Sequence, residues 1–101
     1  MEGIELIAFE IISNVGEAKS CYIQAIQEAK EKNFDEANKL IEEGNKAFIE
    51  GHHAHTKLIQ REAEKNDVTV NLIIMHAEDQ LMAADSFKII ASEFIDLYKK
   101  I

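Results

Sequence analysis

Apolar residues recur at helical spacing in three long stretches of the chain. In the first stretch, from about Ile4 to Lys30, one line of apolar positions repeats every seven residues and a second line fills the positions between them. The two lines are Ile4, Ile11, Ala18 and Ala25, and Ile7, Val15, Tyr22 and Ala29. This pattern is typical of a helix that buries one side against other helices.

The second stretch opens with a capping signal. Asn33 can accept hydrogen bonds from free backbone N–H groups, and Glu36, three residues later, can reach back to it. The predicted helix then runs to about Glu64, and its apolar line is Ala37, Leu40, Ile41, Gly44, Phe48, Gly51, His55 and Leu58. Gly44 and Gly51 lie one heptad apart on that line. They either let another helix approach closely or are tolerated weak positions.

The third stretch carries two apolar stripes. It follows a polar break at residues 65–67, where Asp67 or Thr69 could cap a helix running from about Val70 to Tyr98. The first stripe is Leu72, Met75, His76, Asp79, Met82, Ala83, Ser86 and Ile90, and the second is Ile74, Ala77, Leu81, Ala84, Ala91 and Ile95. A helix with two such stripes has two surfaces to pack. One suits its own chain, and the other suits copies of itself.

Composition and connection length support the same architecture. The chain has no proline and only 4 glycines, which favours long unbroken helices. No hairpin signal interrupts them. The short connections predict an all-α fold, an antiparallel three-helix up-down-up bundle in one domain over residues 1–101. The core of so small a chain is modest, so oligomerisation would add burial.

Charge and cysteine content narrow the function classes. A net charge of −8 argues against nucleic acid as a partner. The acidic surface either keeps the chain soluble or docks a basic protein partner. The lone Cys21 allows no internal disulfide and fits a reducing compartment. It should be a buried apolar residue of the first helix. Residues 4–12 are apolar but too short to span a bilayer, so we expect a cytoplasmic chain that meets a membrane only through a partner.

Asp79 is an anomaly because its helical neighbours are apolar. A carboxylate centred in such a stripe is costly unless it is paired, protonated or bound to a metal. Three copies meeting about a threefold axis would bring three Asp79 carboxylates together, and a cation such as Mg²⁺ would suit them. An aspartate exposed at the edge of the stripe is the alternative. Periodicity does not decide between them, since it does not count subunits.

The four histidines are candidates for chemistry. His76 lies three residues before Asp79, and a neutral imidazole can attack phosphorus and carry a phosphoryl group. On a helix a lone histidine is more often structural or merely exposed. His52 and His55 share a face and could begin a zinc site, but no third ligand stands out. His55 on the apolar line is better explained as a packed histidine with a hydrogen-bond partner. Whether His52 and His55 line a cleft beside His76 stays open.

Residues 75–82, Met-His-Ala-Glu-Asp-Gln-Leu-Met, resemble the active-site signature of the lactose/cellobiose enzyme IIA family of the bacterial sugar phosphotransferase system. The resemblance extends in order along nearly the whole chain, through residues 11–20, 33–37, 55–63 and 93–98. The signature is the specific part, and the other segments support it. Position 80 varies within the family, since some members carry histidine where this chain has Gln80. A histidine at that position, close to the signature's phosphorylated residue, is then not essential to transfer.

The resemblance implies a phosphocarrier. His76 would take a phosphoryl group from the phosphohistidine of HPr and pass it to a cysteine of enzyme IIB, and the membrane component enzyme IIC would use it to trap a sugar. Family members are homotrimers, which places Asp79 of three subunits around one Mg²⁺. Lys57 and Gln80 are candidate donors to the phosphoryl oxygens. Lactose, cellobiose and chitobiose all remain possible sugars.

Two other function classes fit an acidic helical chain. One is a noncatalytic helical oligomerisation module, which would carry no phosphate. The other is a histidine phosphotransfer domain of two-component signalling, which is normally a four-helix bundle in a single chain. Three predicted helices and the Asp79 arrangement argue against the second class.

Overall fold

A computed structural model describes residues 3–101 and contains three long helices. They are α1 (Ile4–Lys30), α2 (Phe34–Lys65) and α3 (Leu72–Lys100). Lys32, in the α1–α2 turn, donates a hydrogen bond to the carbonyl of Tyr98 near the end of α3. The helices therefore run up, down and up, in a rod of about 52 × 19 × 16 Å. The predicted three-helix bundle is confirmed, and no strand occurs within the described range.

The turn between α1 and α2 is tight and differs from the expected cap. Lys32 adopts a positive φ of 66°, which reverses the chain within three residues. The Asn33 side chain caps no backbone N–H. Its amide instead donates to the carboxylate of Glu28 at 2.9 Å. The predicted capping box was wrong because the side-chain amide pairs with this nearby carboxylate.

The connection from α2 to α3 also corrects the predicted cap. Asp67 is bound by Arg61, with a shortest distance of 2.9 Å, and does not cap α3. Asn71 is the capping residue, since its side-chain oxygen accepts from the backbone N–H of Ile74 at 3.1 Å. Helix α3 consequently begins at Leu72 instead of Val70, and it continues to Lys100.

The bundle core is built from small residues at the helix contacts. All six members of the second stripe of α3 are buried, and so are most positions of the two lines of α1. Gly44 and Gly51 of α2 face α1 closely. A Cβ at Gly44 would lie 2.7 Å from the Tyr22 ring, and one at Gly51 would lie 2.6 Å from a methyl of Val15. The close-approach reading of these glycines is therefore correct.

None of the helices over residues 3–101 is long and apolar enough to cross a membrane.

Candidate functional site

The first stripe of α3 faces away from the bundle. Leu72 is 82% exposed, Met75 57% and Met82 69%. Of the other members, only Ala83 is partly covered. The second stripe lies on the opposite side, in the core. The prediction that one stripe of α3 packs within its own chain is confirmed, and the outward stripe has no partner within a single chain.

His76 lies at the edge of the outward stripe. It is exposed and sits three residues before Asp79, about 60° around the helix from it. Across residues 3–101 the one histidine whose side chain has a hydrogen-bond partner is His55, so the His76 ring is free to meet a partner. An uncovered neutral imidazole on a convex helix can accept a phosphoryl group from a large donor protein.

Asp79 lies in the middle of the outward stripe and is exposed. Its neighbours on that surface include Met75 and Met82. No group of three or more metal-ligating side chains occurs within the described part of one chain. A single carboxylate does not make a metal site. Its oxygen chemistry fits Mg²⁺ only if other copies of the chain supply further ligands.

The second histidine cluster is organised by a contact between helices. His55 of α2 is only 15% exposed, and its Nε2 lies 2.6 Å from a carboxylate oxygen of Glu78 on α3. The packed histidine with a partner is thus confirmed. The His52 ring meets the rings of Phe48 and His55 edge-on. Among the described residues, no group of three side chains is arranged here to bind a zinc ion.

The side chains that follow His76 point to different sides. Glu78 lies two residues on, about 200° around α3, and faces α2. Its carboxylate therefore makes no direct contact with the His76 ring. Gln80 lies one turn beyond His76 on the same side and is half-buried. Lys57 contacts Glu10 of α1 at 3.5 Å.

Sequence reasoning missed an open groove of about 400 Å³ between the end of α2 and the start of α3. Its lining is mainly apolar and includes Leu58, Val70 and Ile74, with Glu78 and Asp79 among its few polar groups. The signal was weak because Val68 and Val70 belong to the connection, and the sequence pattern predicted Val70 as the start of α3. The groove is continuous with the outward stripe through Met75 and Met82, so it enlarges that apolar surface.

Cys21 takes no part in this region. It is half-buried in α1, less covered than the sequence predicted. Burial raises the pKa of its thiol, and the negative charges of Glu43 and Glu17 raise it further. A protonated thiol is a poor nucleophile.

Comparisons with known proteins cover almost the whole chain. Residues 6–99 match the family described as "PTS system, Lactose/Cellobiose specific IIA subunit". The lactose-specific EIIA component of Staphylococcus epidermidis is 35% identical over 97 residues, which are 96% of this chain and 93% of that protein. The crystal structure of the cellobiose-specific enzyme IIA from Bacillus anthracis superposes with a TM-score of 0.93 at 40% identity, covering 99% of this chain and 93% of that one. The IIA(chitobiose) of Escherichia coli, solved in complex with HPr, gives 0.84 at 30% identity, covering 99% and 97%.

Proposed function

The chain belongs to the lactose/cellobiose-specific enzyme IIA family of the sugar phosphotransferase system, and we propose that it carries the phosphoryl group of that relay on His76. Phospho-HPr is the donor, and a cysteine of enzyme IIB is the acceptor. The observation that carries the proposal is the exposed, unpartnered His76 ring at the edge of the outward face of α3. The signature around it, residues 75–82, supports the same residue.

The transfer chemistry requires little of the side chains besides positioning. A ring nitrogen of neutral His76 attacks the phosphorus held by HPr. A new P–N bond forms while the P–N bond to HPr breaks, and the ring proton given up by one histidine is balanced by one taken up by the other. In the second step a cysteine sulfur of enzyme IIB attacks, the P–N bond to His76 breaks, and the imidazole regains its proton from the acceptor thiol.

HPr as the donor is supported by the E. coli relative, whose structure was solved with HPr bound. The acidic chain, with its net charge of −8, suits a donor that presents a basic surface. Phosphate transfer at an exposed helix surface needs no sugar pocket. The sugar, a β-disaccharide of the lactose, cellobiose or chitobiose type, is selected by the membrane component enzyme IIC, which a cytoplasmic carrier meets only through enzyme IIB.

We further propose that the chain works as a homotrimer built on the outward stripe. A monomer rarely exposes so continuous an apolar surface, and packing three stripes together would bury Leu72, Met75 and Met82. Asp79 would then lie at the axis, where one Mg²⁺ would offset two of the three negative charges of the carboxylates. His76, about 60° away around α3, would lie at the edge of the subunit, open to its partners. The ion stabilises assembly and takes no part in the transfer.

Phosphorylation with a matched histidine control tests the site. Incubation with enzyme I, HPr and phosphoenolpyruvate should place one acid-labile, base-stable phosphate on the wild-type chain. His76→Ala should accept none, because the attacking nitrogen is gone. His53→Ala removes another exposed histidine and should accept phosphate normally. Labelling of His76→Ala to the wild-type level would contradict the site, and no labelling of the wild type would contradict the function.

A further inference from the structure

The contact between His55 and Glu78 joins two different helices. Among the described residues it is the one side-chain hydrogen bond or ion pair that joins α2 to α3. The remaining ion pairs link Lys57 to Glu10 of α1 and Arg61 to Asp67 of the connection. The apolar contacts between α2 and α3 are non-directional. Besides the Lys88 ammonium, which lies 5.4 Å from the centre of the Phe48 ring, this polar contact is the one that orients the two helices near His76.

The pair acts on the turn of α3 that bears His76. Glu78 is two residues beyond His76 and points to the opposite side of the helix. Its contact with α2 therefore adds a side-chain restraint to the rotation of a turn that Ile74 and Ala77 already anchor in the core. A rotation of about 10° would move a side chain lying about 6 Å from the axis by about 1 Å. Misplacing a reacting group by about 1 Å can slow a reaction by up to about 100-fold.

We propose that His55 and Glu78 are a positioning pair that holds His76 in the orientation needed for phosphoryl transfer. The proposal rests on the transfer function proposed above. Neither side chain touches the reacting atoms, so neither is a catalytic residue. His55 is suited to the task because it is largely buried and its own ring is packed against His52. A short contact of 2.6 Å to a partly exposed carboxylate then fixes Glu78.

Single-turnover transfer from phospho-HPr tests the pair. His55→Ala and Glu78→Ala should each lower the rate constant at saturating phospho-HPr by about tenfold, within the range of coupling expected for contacting residues. The concentration of HPr giving half the maximal rate should change by less than about twofold. The double variant should be no slower than either single variant, because the two residues act through one contact.

Two further variants separate positioning from bulk stability. His55→Gln keeps a donor amide for Glu78, and it should restore most of the rate. Arg61 lies on the same helix as His55. Arg61→Ala breaks its exposed pair with Asp67 of the connection and should transfer at the wild-type rate. Thermal unfolding followed by circular dichroism checks that every variant is folded at the assay temperature.

The outcomes distinguish a failure of the positioning pair from a failure of the proposed phosphoryl-transfer function. A wild-type chain that accepts no phosphate overturns both. If the wild type accepts phosphate and the alanine variants transfer at the same rate, the pair has no positioning role. Slow transfer that tracks only the unfolding temperature, without rescue by His55→Gln, also overturns it.

Discussion

At the scale of single residues, Tyr22 joins α1 to α2. Its side chain has no exposed surface, and its hydroxyl donates to the side-chain oxygen of Asn45 at 2.7 Å. Burial raises the pKa of Tyr22 to about 12, and the negative charges of Cys21 and Asp85 add to the shift. The ring also packs on Gly44. The stability of the bundle should therefore depend both on the packing of the Tyr22 ring and on the protonation of its hydroxyl.

The raised pKa of Tyr22 predicts a loss of stability in alkali. An unfolded tyrosine ionises near pH 10, before the folded one, so the unfolded state binds fewer protons between about pH 10 and 12 and the free energy of unfolding falls as pH rises. The full effect is of order 2 kcal/mol. Urea unfolding of the wild type and Tyr22→Phe between pH 8 and 11.5 measures it. The variant should lose less stability over that interval, and equal losses would contradict the assignment.

Gly44→Ala should destabilise the bundle by about 1–3 kcal/mol, because the new methyl group would overpack the Tyr22 ring. Gly16→Ala is the matched control. Its Cβ would meet nothing within 4 Å, so it should raise the free energy of unfolding by about 0.5–1 kcal/mol through its better helix propensity. Denaturant unfolding of both variants checks the contrast. A loss of stability in the control of the same size would contradict the close-packing argument.

The functional residues differ in how far the sequence alone revealed them. His76 was one exposed histidine among four, and the signature around it selected it. His55 was expected to have a partner, but Glu78 was not identified, since the two lie 23 residues apart in the chain. Helical periodicity places a side chain on a face. It does not say which side chain of another helix lies opposite.

At the scale of helices, periodicity predicted the elements well and their caps poorly. Each predicted helix end lies within two residues of the observed one, because the buried stripes are long and regular. Cap choice failed at Asn33 and Asp67, where a nearby charged side chain binds the side chain of the expected capping residue. Competition between local polar partners depends on side-chain geometry, which a residue pattern does not contain.

Asn71→Ala should lower the free energy of unfolding by about 1 kcal/mol, because the backbone N–H of Ile74 loses its capping acceptor. Asn33→Ala removes a side chain that caps no backbone group and should cost less. Chemical denaturation of the two variants, compared at one pH, provides the measurement. An unchanged free energy of unfolding in Asn71→Ala would show that the first turn of α3 does not depend on this cap.

At the scale of the whole molecule, the shape and the outward stripe of α3 are linked. A rod about 52 Å long and under 20 Å wide encloses a thin core, and α3 presents a second apolar surface along its length. The sequence indicated that surface through its two stripes, yet the number of copies that would cover it came only from the family resemblance. A residue pattern defines a face but not the symmetry of an assembly.

The proposed trimer should depend on Mg²⁺ through Asp79. Chelation should shift the wild type toward monomers, because three converging carboxylates would repel one another. Asp79→Leu should remain trimeric with or without the ion and be at least as stable, since an apolar side chain avoids the cost of burying the charge. Asp96→Leu, off the stripe, should behave like the wild type. Light scattering with and without chelator measures the mass, and a monomeric Asp79→Leu in Mg²⁺ would contradict the arrangement.

The spacing of Gly44 and Gly51 also bears on how the chain avoids a wrong alignment while folding. The residues they face, Tyr22 and Val15, are themselves seven apart. Sliding α2 along α1 by one heptad, about 10 Å, would seat Gly51 on Tyr22 but would also bring Leu58 against Val15, where even the Cβ of an alanine would be too close. In that pairing the tyrosine hydroxyl would lie at the position of His52 and lose its bond to Asn45. The Tyr22–Asn45 hydrogen bond and the fit of Gly51 against Val15 therefore both oppose the shifted alignment, so the heptad spacing of the two glycines selects one register of α2 on α1.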